Sequence, residues 1–250
     1  MNGRFPSPPY GGLRLLLLVM CTALALVIGA GSSLSLALPE IAEDTGATQT
    51  QLTWVINAYA LVFAALLLPV GIAADRFGRR AALLAGLTLF AAASLASGFV
   101  SDPNALIALR GLAGVGAAAV MPATLSVLVD AYPEEQRSRA VAVWAGVSGA
   151  GALVGILLAG LLLETFWWGS VQVVYGVAAG FALFACAAIV PASRNADLAL
   201  DLPGGLLSLG GLAGLVFAVI EGPERGWASA PVIVPRSSVG SSWRCSCGAS

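Results

Sequence analysis

The sequence lacks lysine and histidine altogether, and all twelve of its basic residues are arginine. Without imidazole groups, catalysis by histidine and metal sites ligated by histidine are excluded. Charge of either sign is scarce, at 10% of the 250 residues, whereas soluble domains carry roughly 25%. The arginines form no long basic run of the kind that binds nucleic acid. We therefore predict no metal, no cofactor and no nucleic-acid partner.

Apolar residues are abundant instead: 58% of the chain is hydrophobic, and the mean hydropathy is +0.91. A helix needs about 20 mostly apolar residues to cross a bilayer. Runs of this kind cover approximately 13–38, 52–74, 81–100, 104–129, 140–163, 169–190 and 202–220. They predict an all-α, polytopic helical membrane protein whose partner is the lipid bilayer. The alternative for the first run is a signal peptide preceded by Arg4 and Arg14, which the six later runs disfavour.

The arginines indicate how these helices are oriented, because cytoplasmic loops of membrane proteins are enriched in Lys and Arg. If the N-terminus is cytoplasmic and the runs alternate, only Arg225 lies in an outside loop. The arginines placed inside are Arg4, Arg14, Arg76, Arg79, Arg80, Arg137, Arg139 and Arg194. The acidic residues placed outside are Glu40, Glu43, Asp44, Asp102 and Glu164. We therefore predict a multi-pass plasma-membrane protein with a cytoplasmic N-terminus.

The connection between the second and third runs reads GIAADRFGRR, residues 71–80. So few residues join the two helices that the turn must be tight, and Gly78 can take a positive φ without steric cost. Asp75 is placed to accept hydrogen bonds from free N–H groups of the third helix or to pair with an arginine. An ordinary basic loop is the simpler interpretation, but it does not require this spacing. The candidate residues of a conformational loop are Gly71, Asp75, Arg76, Gly78, Arg79 and Arg80.

This spacing resembles the G-x-x-x-D-R-x-G-R-R/K loop of the major facilitator superfamily of secondary transporters. The resemblance implies the fold of that family, in which substrate binds between two six-helix halves. In the family, an acid at the end of the fourth helix can pair with the arginines of this loop. Asp130 holds that position, so we expect it to pair with Arg76 or Arg79 when the transporter faces outward. The alternative is an unpaired helix-end charge at the membrane interface.

Arg110 lies within the fourth run, in the stretch LRGLAGVG of residues 109–116. An arginine at a helix centre costs about 2.5–3.5 kcal/mol on insertion scales, and less near the interface. Such a residue generally faces a cavity or a partner; the alternative is that it snorkels to the outer headgroups. The stretch resembles the R-G-x-x-G-x-G motif of the family, in which the arginine is implicated in proton coupling. The resemblance makes Arg110 the candidate for that role.

Small residues recur at helical spacing in the fourth and fifth runs and predict close helix packing. The fifth-run series resembles the antiporter signature G-x-x-x-G-P-x-x-G-G, except that Ile156 replaces the proline and Ala159 replaces a glycine. The resemblance to antiporters is therefore incomplete in this helix. The packing candidates are Gly111, Gly114, Gly116, Pro122, Gly151, Gly155 and Gly160.

The second run begins with a stretch, residues 52–59, that resembles the L-x-W-x-x-x-x-Y pattern of drug:proton antiporters. Trp54, Asn57 and Tyr59 are candidates to line the substrate cavity. The alternative for Trp54 is an interfacial anchor, because it lies near the predicted outer end of the helix.

The first run lacks an acid that the fourteen-helix drug antiporters usually carry in the pattern L-D-x-T-x-x-N-x-A-L-P. Counting back from Pro39, the acid position holds Ala30 and the asparagine position holds Ser35. No other Asp or Glu lies clearly within a run. Proton coupling would therefore depend on the rest of the transporter, or be lost.

The region after the sixth run resembles the extra helices that join the two halves in the fourteen-helix branch. We predict a cytoplasmic N-terminus at 1–12, a six-helix half at 13–191, a linker at 192–229 whose seventh helix covers about 202–220, and a tail at 230–250. Hydrophobicity stops at Val234, and the Ser-, Arg- and Cys-rich end indicates a shifted reading frame or a truncated gene product. A genuine polar tail is the alternative.

Together these features predict one half of a secondary transporter that exports drug-like small molecules in exchange for protons. A lone half has no second wall for its cavity, so we expect the chain to be inactive in isolation. One alternative is a non-transporting membrane protein that assembles with a partner chain; another is a facilitator for a different metabolite. An intramembrane enzyme is disfavoured, because the runs contain no paired carboxylates and no activated nucleophile.

Overall fold

The computed structural model describes residues 10–190, with side chains for 12–74 and 78–190. The predicted seventh helix, the linker and the tail lie outside the described residues. The described range consists of helices joined by short connections and contains no strand. Its helices are α1 (Tyr10–Ser33), α2 (Leu38–Thr45), α3 (Gln49–Phe77), α4 (Arg79–Ser97), α5 (Pro103–Ala131), α6 (Glu134–Leu163) and α7 (Gly169–Ile189).

Six of these helices, all but α2, are long and apolar enough to cross a membrane. They correspond to the first six predicted runs, so the prediction of a polytopic helical protein is confirmed for the described range. The largest differences from the predicted boundaries lie in α1 and α6. α6 begins at Glu134, before the predicted residue 140. α1 begins at Tyr10, inside the segment expected to precede the first helix, and it ends at Ser33 rather than at residue 38.

The short helix α2 was not predicted and explains the early end of α1. After Ser33 the chain turns, and α2 begins at Leu38 with Pro39 in its first turn, where a proline is well accommodated. Ile41 of α2 is fully buried beside Leu34, Val55 and Leu106. α2 therefore covers one end of the bundle instead of extending α1 through the membrane.

The bundle is held by close helix pairs. α1 packs mainly against α6, α4 packs against α7, and α5 lies between α3 and α4 while also touching α1. In lipid, such pairs gain little from the hydrophobic effect and depend on close contact and on hydrogen bonds. α5 is therefore the central helix, in contact with α1, α3, α4 and α6.

Polar contacts tie the helices together at both ends of the bundle. At the end that carries α2, which we call the Asp102 end, the Trp168 indole donates to Asp44 Oδ2 at 2.9 Å. At the opposite end, which we call the Arg79 end, the Tyr132 hydroxyl donates to the Leu13 carbonyl at 2.8 Å. Apart from buried Arg110, the described arginines belong to the Arg79 end, and the Asp102 end carries acids only. This is the charge asymmetry that the sequence predicted.

Candidate functional site: a buried arginine between three helices

The start of α5 fixes the depth of Arg110. Asp102 caps the helix, and its carboxylate accepts from Asn104 N at 3.4 Å and from Ala105 N at 3.0 Å. Such a cap satisfies backbone donors that have no partner within the helix. Arg110 follows seven residues after Pro103, which places it about 10 Å along the helix. It therefore lies inside the apolar bundle, closer to the Asp102 end.

The guanidinium of Arg110 links three helices and has no exposed surface. Its Nε donates to the Val55 carbonyl of α3, and its Nη2 donates to the Ala30 carbonyl of α1, each at 3.2 Å. Its Cζ lies 4.5 Å from the ring centroid of Tyr59, within the range of a cation–π contact. The prediction that Arg110 has partners within the bundle is confirmed, and snorkelling to the headgroups is wrong.

The contact with α1 involves the C-terminal end of that helix. The last four carbonyls of an α-helix have no intrahelical donor and carry the negative end of the helix dipole. Because α1 ends at Ser33, the Ala30 carbonyl is one of these four, and it also accepts from Ser33 Oγ at 3.2 Å. The early end of α1 therefore supplies a partial negative charge to Arg110 at the position where an acid was missing.

The positive charge of Arg110 is only partly compensated, because its Nη1 is buried and has no hydrogen-bond partner. Within the six described spans, acidic residues occur only near the Arg79 end, at Asp130, Glu134 and Glu135. No carboxylate in these spans reaches the level of Arg110. The site therefore holds a buried cation with one unsatisfied donor.

Tyr59 is the cavity candidate that the structure brings to Arg110. It is almost fully buried, its hydroxyl donates to the Val27 carbonyl, and its ring stacks on Phe63 at 6.2 Å between centroids. Trp54 and Asn57 are half-buried on other faces of α3. The structure therefore groups only Tyr59 with the arginine.

Sequence reasoning missed two polar residues of α7. Tyr175 is buried and places its hydroxyl against Gly29 of α1, one residue from Ala30. Gln172 lies one turn away on the same helix face and is fully buried, with both amide atoms unpartnered. An uncharged polar residue in an apolar run was the available signal, as it was for Asn57, but it was not followed into the sixth run.

The glycine candidates fall into two groups. In the first group, an added Cβ would come too close to a backbone carbonyl oxygen of a neighbouring helix. The distance would be 2.4 Å from Gly155 to the Gly29 oxygen, 2.7 Å from Gly114 to the Tyr59 backbone oxygen, and 2.6 Å from Gly116 to the Gly86 oxygen. These three positions allow the close contacts of α6 with α1 and of α5 with α3 and α4, as predicted.

The remaining packing candidates are looser. A Cβ would meet its nearest neighbour at 3.8 Å at Gly111, 3.4 Å at Gly151 and 3.7 Å at Gly160, which are ordinary contact distances. Gly111 and Gly151 therefore contact α3 and α1, as residues of a packing seam do, but the space at these three positions does not require glycine. Pro122 lies inside α5 and packs against Gly71 of α3.

The loop candidates lie at the Arg79 end. Residues 71–77 belong to α3, so the connection to α4 is Gly78 alone, with φ 118° and ψ 120°. The predicted tight turn and positive φ are confirmed, and residues 75–77, which follow the predicted second run, belong to α3. The side chains of Asp75 and Arg76 lie outside those that the structure describes.

Arginines on the α4 side of this junction contact neighbouring helices. Arg79 forms an ion pair with Asp130 of α5, so the predicted contact between the junction and the fourth span is present. Arg80 Nη2 donates to the Ala187 carbonyl at 2.7 Å, in the last turn of α7, where a cation is favoured. These two arginines thus connect the junction to α5 and α7.

Comparisons with known proteins agree with this architecture. The puromycin resistance protein of Streptomyces alboniger is 41% identical over 87% of this chain and 43% of its own length. The cephamycin export protein of Amycolatopsis lactamdurans is 38% identical over 88% of this chain and 46% of its own length. The chain therefore spans about half the length of the curated relatives it matches.

The fold is also that of a solved transporter. A crystal structure of the peptide transporter POT in complex with sulfate matches with a TM-score of 0.67 at 16% identity, covering 92% of this chain and 51% of that one. At this identity the likeness concerns the fold alone. The profile of the Major Facilitator Superfamily matches residues 20–219. The chain therefore belongs to the Major Facilitator Superfamily of membrane transporters.

Proposed function

We propose that this chain forms the N-terminal half of a plasma-membrane transporter that exports drug-like small molecules in exchange for protons, with its N-terminus in the cytoplasm. The observation that carries the proposal is the match of almost the whole described bundle to about half of resistance and export proteins. The six spans and the junction at Gly78 support assignment to the first half, because the resemblance of residues 71–80 is to the loop between the second and third helices.

Exposed apolar surface supports the presence of a second half. On α6, Leu153, Leu157 and Leu161 recur every four residues and are about two-thirds exposed. A Cβ at Gly146 or Gly149 of the same helix would meet nothing within 4 Å. In transporters of this type, substrate binds between two halves that rock against each other, so we expect the chain alone to be inactive.

The proton coupling rests on the resemblance to antiporters and on Arg110. Because Ala30 replaces an acid and the described spans hold no other carboxylate near Arg110, Arg110 cannot exchange a proton with a neighbouring acid of this half. We propose that the acid that carries protons belongs to the part of the relatives that this chain does not match, and that Arg110 influences it through charge.

Transport can be tested with a chimera of this chain and the second half of the Streptomyces alboniger protein. In everted membrane vesicles, we expect the chimera to accumulate puromycin when the lumen is acidic and to stop when an ionophore removes the pH gradient. The intact Streptomyces protein is the positive control, and the present chain alone should give no accumulation.

Two results would contradict the proposal. Accumulation by the present chain alone would show that it does not act as a half. A chimera that inserts correctly but fails to accumulate puromycin, or accumulates it regardless of the gradient, would contradict proton-driven export.

A further inference from the structure

Two packed helices of the bundle carry a proline at the same level. α3 and α5 each have 29 residues, both begin at the Asp102 end, and each contains an internal proline. Pro69 lies 20 residues after Gln49, and Pro122 lies 19 residues after Pro103. A Cβ added at Gly71 would lie 3.4 Å from the Pro122 Cβ, so the turn that follows Pro69 contacts the other proline across the helix pair.

Both helices are weakened at this level. A proline inside a helix removes one backbone hydrogen bond, because it has no N–H, and helices bend at such positions. The carbonyls that lose their intrahelical donors belong to Ala65 and Ala118, four residues before each proline, and both residues are buried. In α5, Thr124 Oγ1 also donates to the Met121 carbonyl at 2.7 Å, and a hydroxyl bond of this kind favours bending.

On the Asp102 side of the prolines, α3 and α5 are packed backbone to backbone. A Cβ at Gly114 would lie only 2.7 Å from the Tyr59 carbonyl oxygen, whereas one at Gly71, beyond the prolines, would have 3.4 Å to its nearest neighbour. The first distance leaves no room between the helices, and the second is an ordinary contact. The helix pair is therefore packed more tightly before the prolines than beyond them.

The parts of α3 and α5 beyond the prolines are tied to each other. We call residues 70–77 of α3 and 123–131 of α5 the Arg79-side segments. Gly78 alone joins the first segment to Arg79, and Arg79 forms an ion pair with Asp130 in the second segment. A movement of one segment therefore displaces the other.

We propose that Pro69 and Pro122 form one shared hinge, about which the Arg79-side segments tilt together and change the width of the bundle at that end. Hinges of a few residues absorb the backbone changes of large movements in many proteins. The hinge goes beyond the proposed export and takes from it only the role of the movement, which is to open the cytoplasmic side of the cavity. The ion pair and Gly78 keep the two segments together during the tilt.

Spin-label distances in the purified 250-residue chain test the hinge without transport. In a chain whose four cysteines are replaced by serine, Thr53→Cys and Ala73→Cys label both sides of the α3 proline. Ala108→Cys and Val129→Cys label both sides of the α5 proline, and all four positions are at least partly exposed. The labels of each pair are about 30 Å apart along the helix, a distance that pulsed electron paramagnetic resonance measures. We expect a broad distance distribution for each pair in nanodiscs.

The decisive variant changes one helix and is read in the other. Pro122→Ala restores the missing N–H in α5, and because the hinge is shared, it should narrow the distance distribution across α3 as well as across α5. Pro69→Ala should likewise narrow both distributions, and it replaces the first variant if that variant does not fold. Pro103→Ala is the matched control on α5, because a proline in the first turn removes no helix hydrogen bond, and it should leave both distributions unchanged.

The proposal is overturned if Pro122→Ala leaves the distribution across α3 as broad as in the parent chain, or if the parent distributions are already as narrow as those of the alanine variants. In the chimera, Pro122→Ala should slow puromycin accumulation and Pro103→Ala should not. Narrowed distances with unchanged accumulation would contradict the role of the hinge in opening the cavity. A parent chimera without accumulation, together with distances that Pro122→Ala narrows in both helices, would count against the proposed export alone.

Discussion

Arg110 shows how a residue that is costly in lipid can be accommodated by backbone rather than by an opposite charge. The Ala30 carbonyl is available because α1 ends at Ser33, and the Val55 carbonyl lies at the same level of α3. The Tyr59 ring covers the guanidinium. The resulting site holds a buried cation whose Nη1 has no hydrogen-bond partner.

Single glycines determine how closely the helices approach each other. Gly155→Ala would place a Cβ 2.4 Å from the Gly29 backbone oxygen, and because backbone cannot move aside cheaply, α1 and α6 must separate. We expect a loss of about 1–3 kcal/mol of stability, measured as a lower unfolding temperature in detergent.

Gly146→Ala is the matched control on the same helix, since nothing lies within 4 Å of its Cβ position. It should leave the unfolding temperature unchanged or slightly higher, because alanine has the better helix propensity. If the two variants had the same unfolding temperature, α1 and α6 would not approach each other as closely as described.

At the scale of whole elements, the single-residue junction between α3 and α4 fixes the relation of these helices. Gly78 has φ 118° and ψ 120°, a conformation essentially restricted to glycine. Gly78→Ala should therefore cost about 1–3 kcal/mol through backbone strain, again seen as a lower unfolding temperature. Gly160→Ala, whose Cβ would lie 3.7 Å from Leu36, is the control and should be nearly neutral; a neutral Gly78→Ala would contradict the junction geometry.

The ion pair of Arg79 with Asp130 joins the junction to α5 and can be isolated by a double-mutant cycle. Because both side chains are partly exposed, we expect a coupling energy of about 0.5–1 kcal/mol between Arg79→Gln and Asp130→Asn in unfolding measurements. The same cycle with Arg139→Gln, at an exposed arginine of α6, should give no coupling. Zero coupling in the first cycle would show that the contact contributes nothing to holding the two helices together.

Hydropathy was sufficient to predict the six spans but not the elements that shape the site. α2 has eight residues, too few for a criterion based on crossing a membrane, and its presence shortens α1. The site could be predicted from a charged residue in an apolar run. Two of the contacts of Arg110 are to backbone carbonyls, however, and the positions of carbonyls cannot be inferred from residue types. Gly29 was also missed, although Ala25, Gly29 and Ser33 repeat every four residues as packing seams do.

At the scale of the whole molecule, composition and structure describe a protein whose surroundings are lipid. Large apolar side chains such as Leu68, Phe181 and Phe184 are about 70% exposed on the outside of the bundle, which is unfavourable in water and ordinary in a bilayer. In the described residues, the Asp102 end carries acids only and the Arg79 end carries every arginine except Arg110, which gives the bundle a direction. The proposed function depends on this orientation, because the direction of export is defined relative to it.

Cysteine labelling in intact cells tests the orientation most directly. In a chain whose four cysteines are replaced by serine, Thr165→Cys marks the connection of α6 to α7 at the Asp102 end, and Ser138→Cys marks an exposed position at the Arg79 end. We predict that a membrane-impermeant maleimide labels Thr165→Cys in intact cells and labels Ser138→Cys only after the membrane is permeabilised. Labelling of Ser138→Cys in intact cells with protection of Thr165→Cys, or recovery of the chain in the soluble fraction without detergent, would contradict the account.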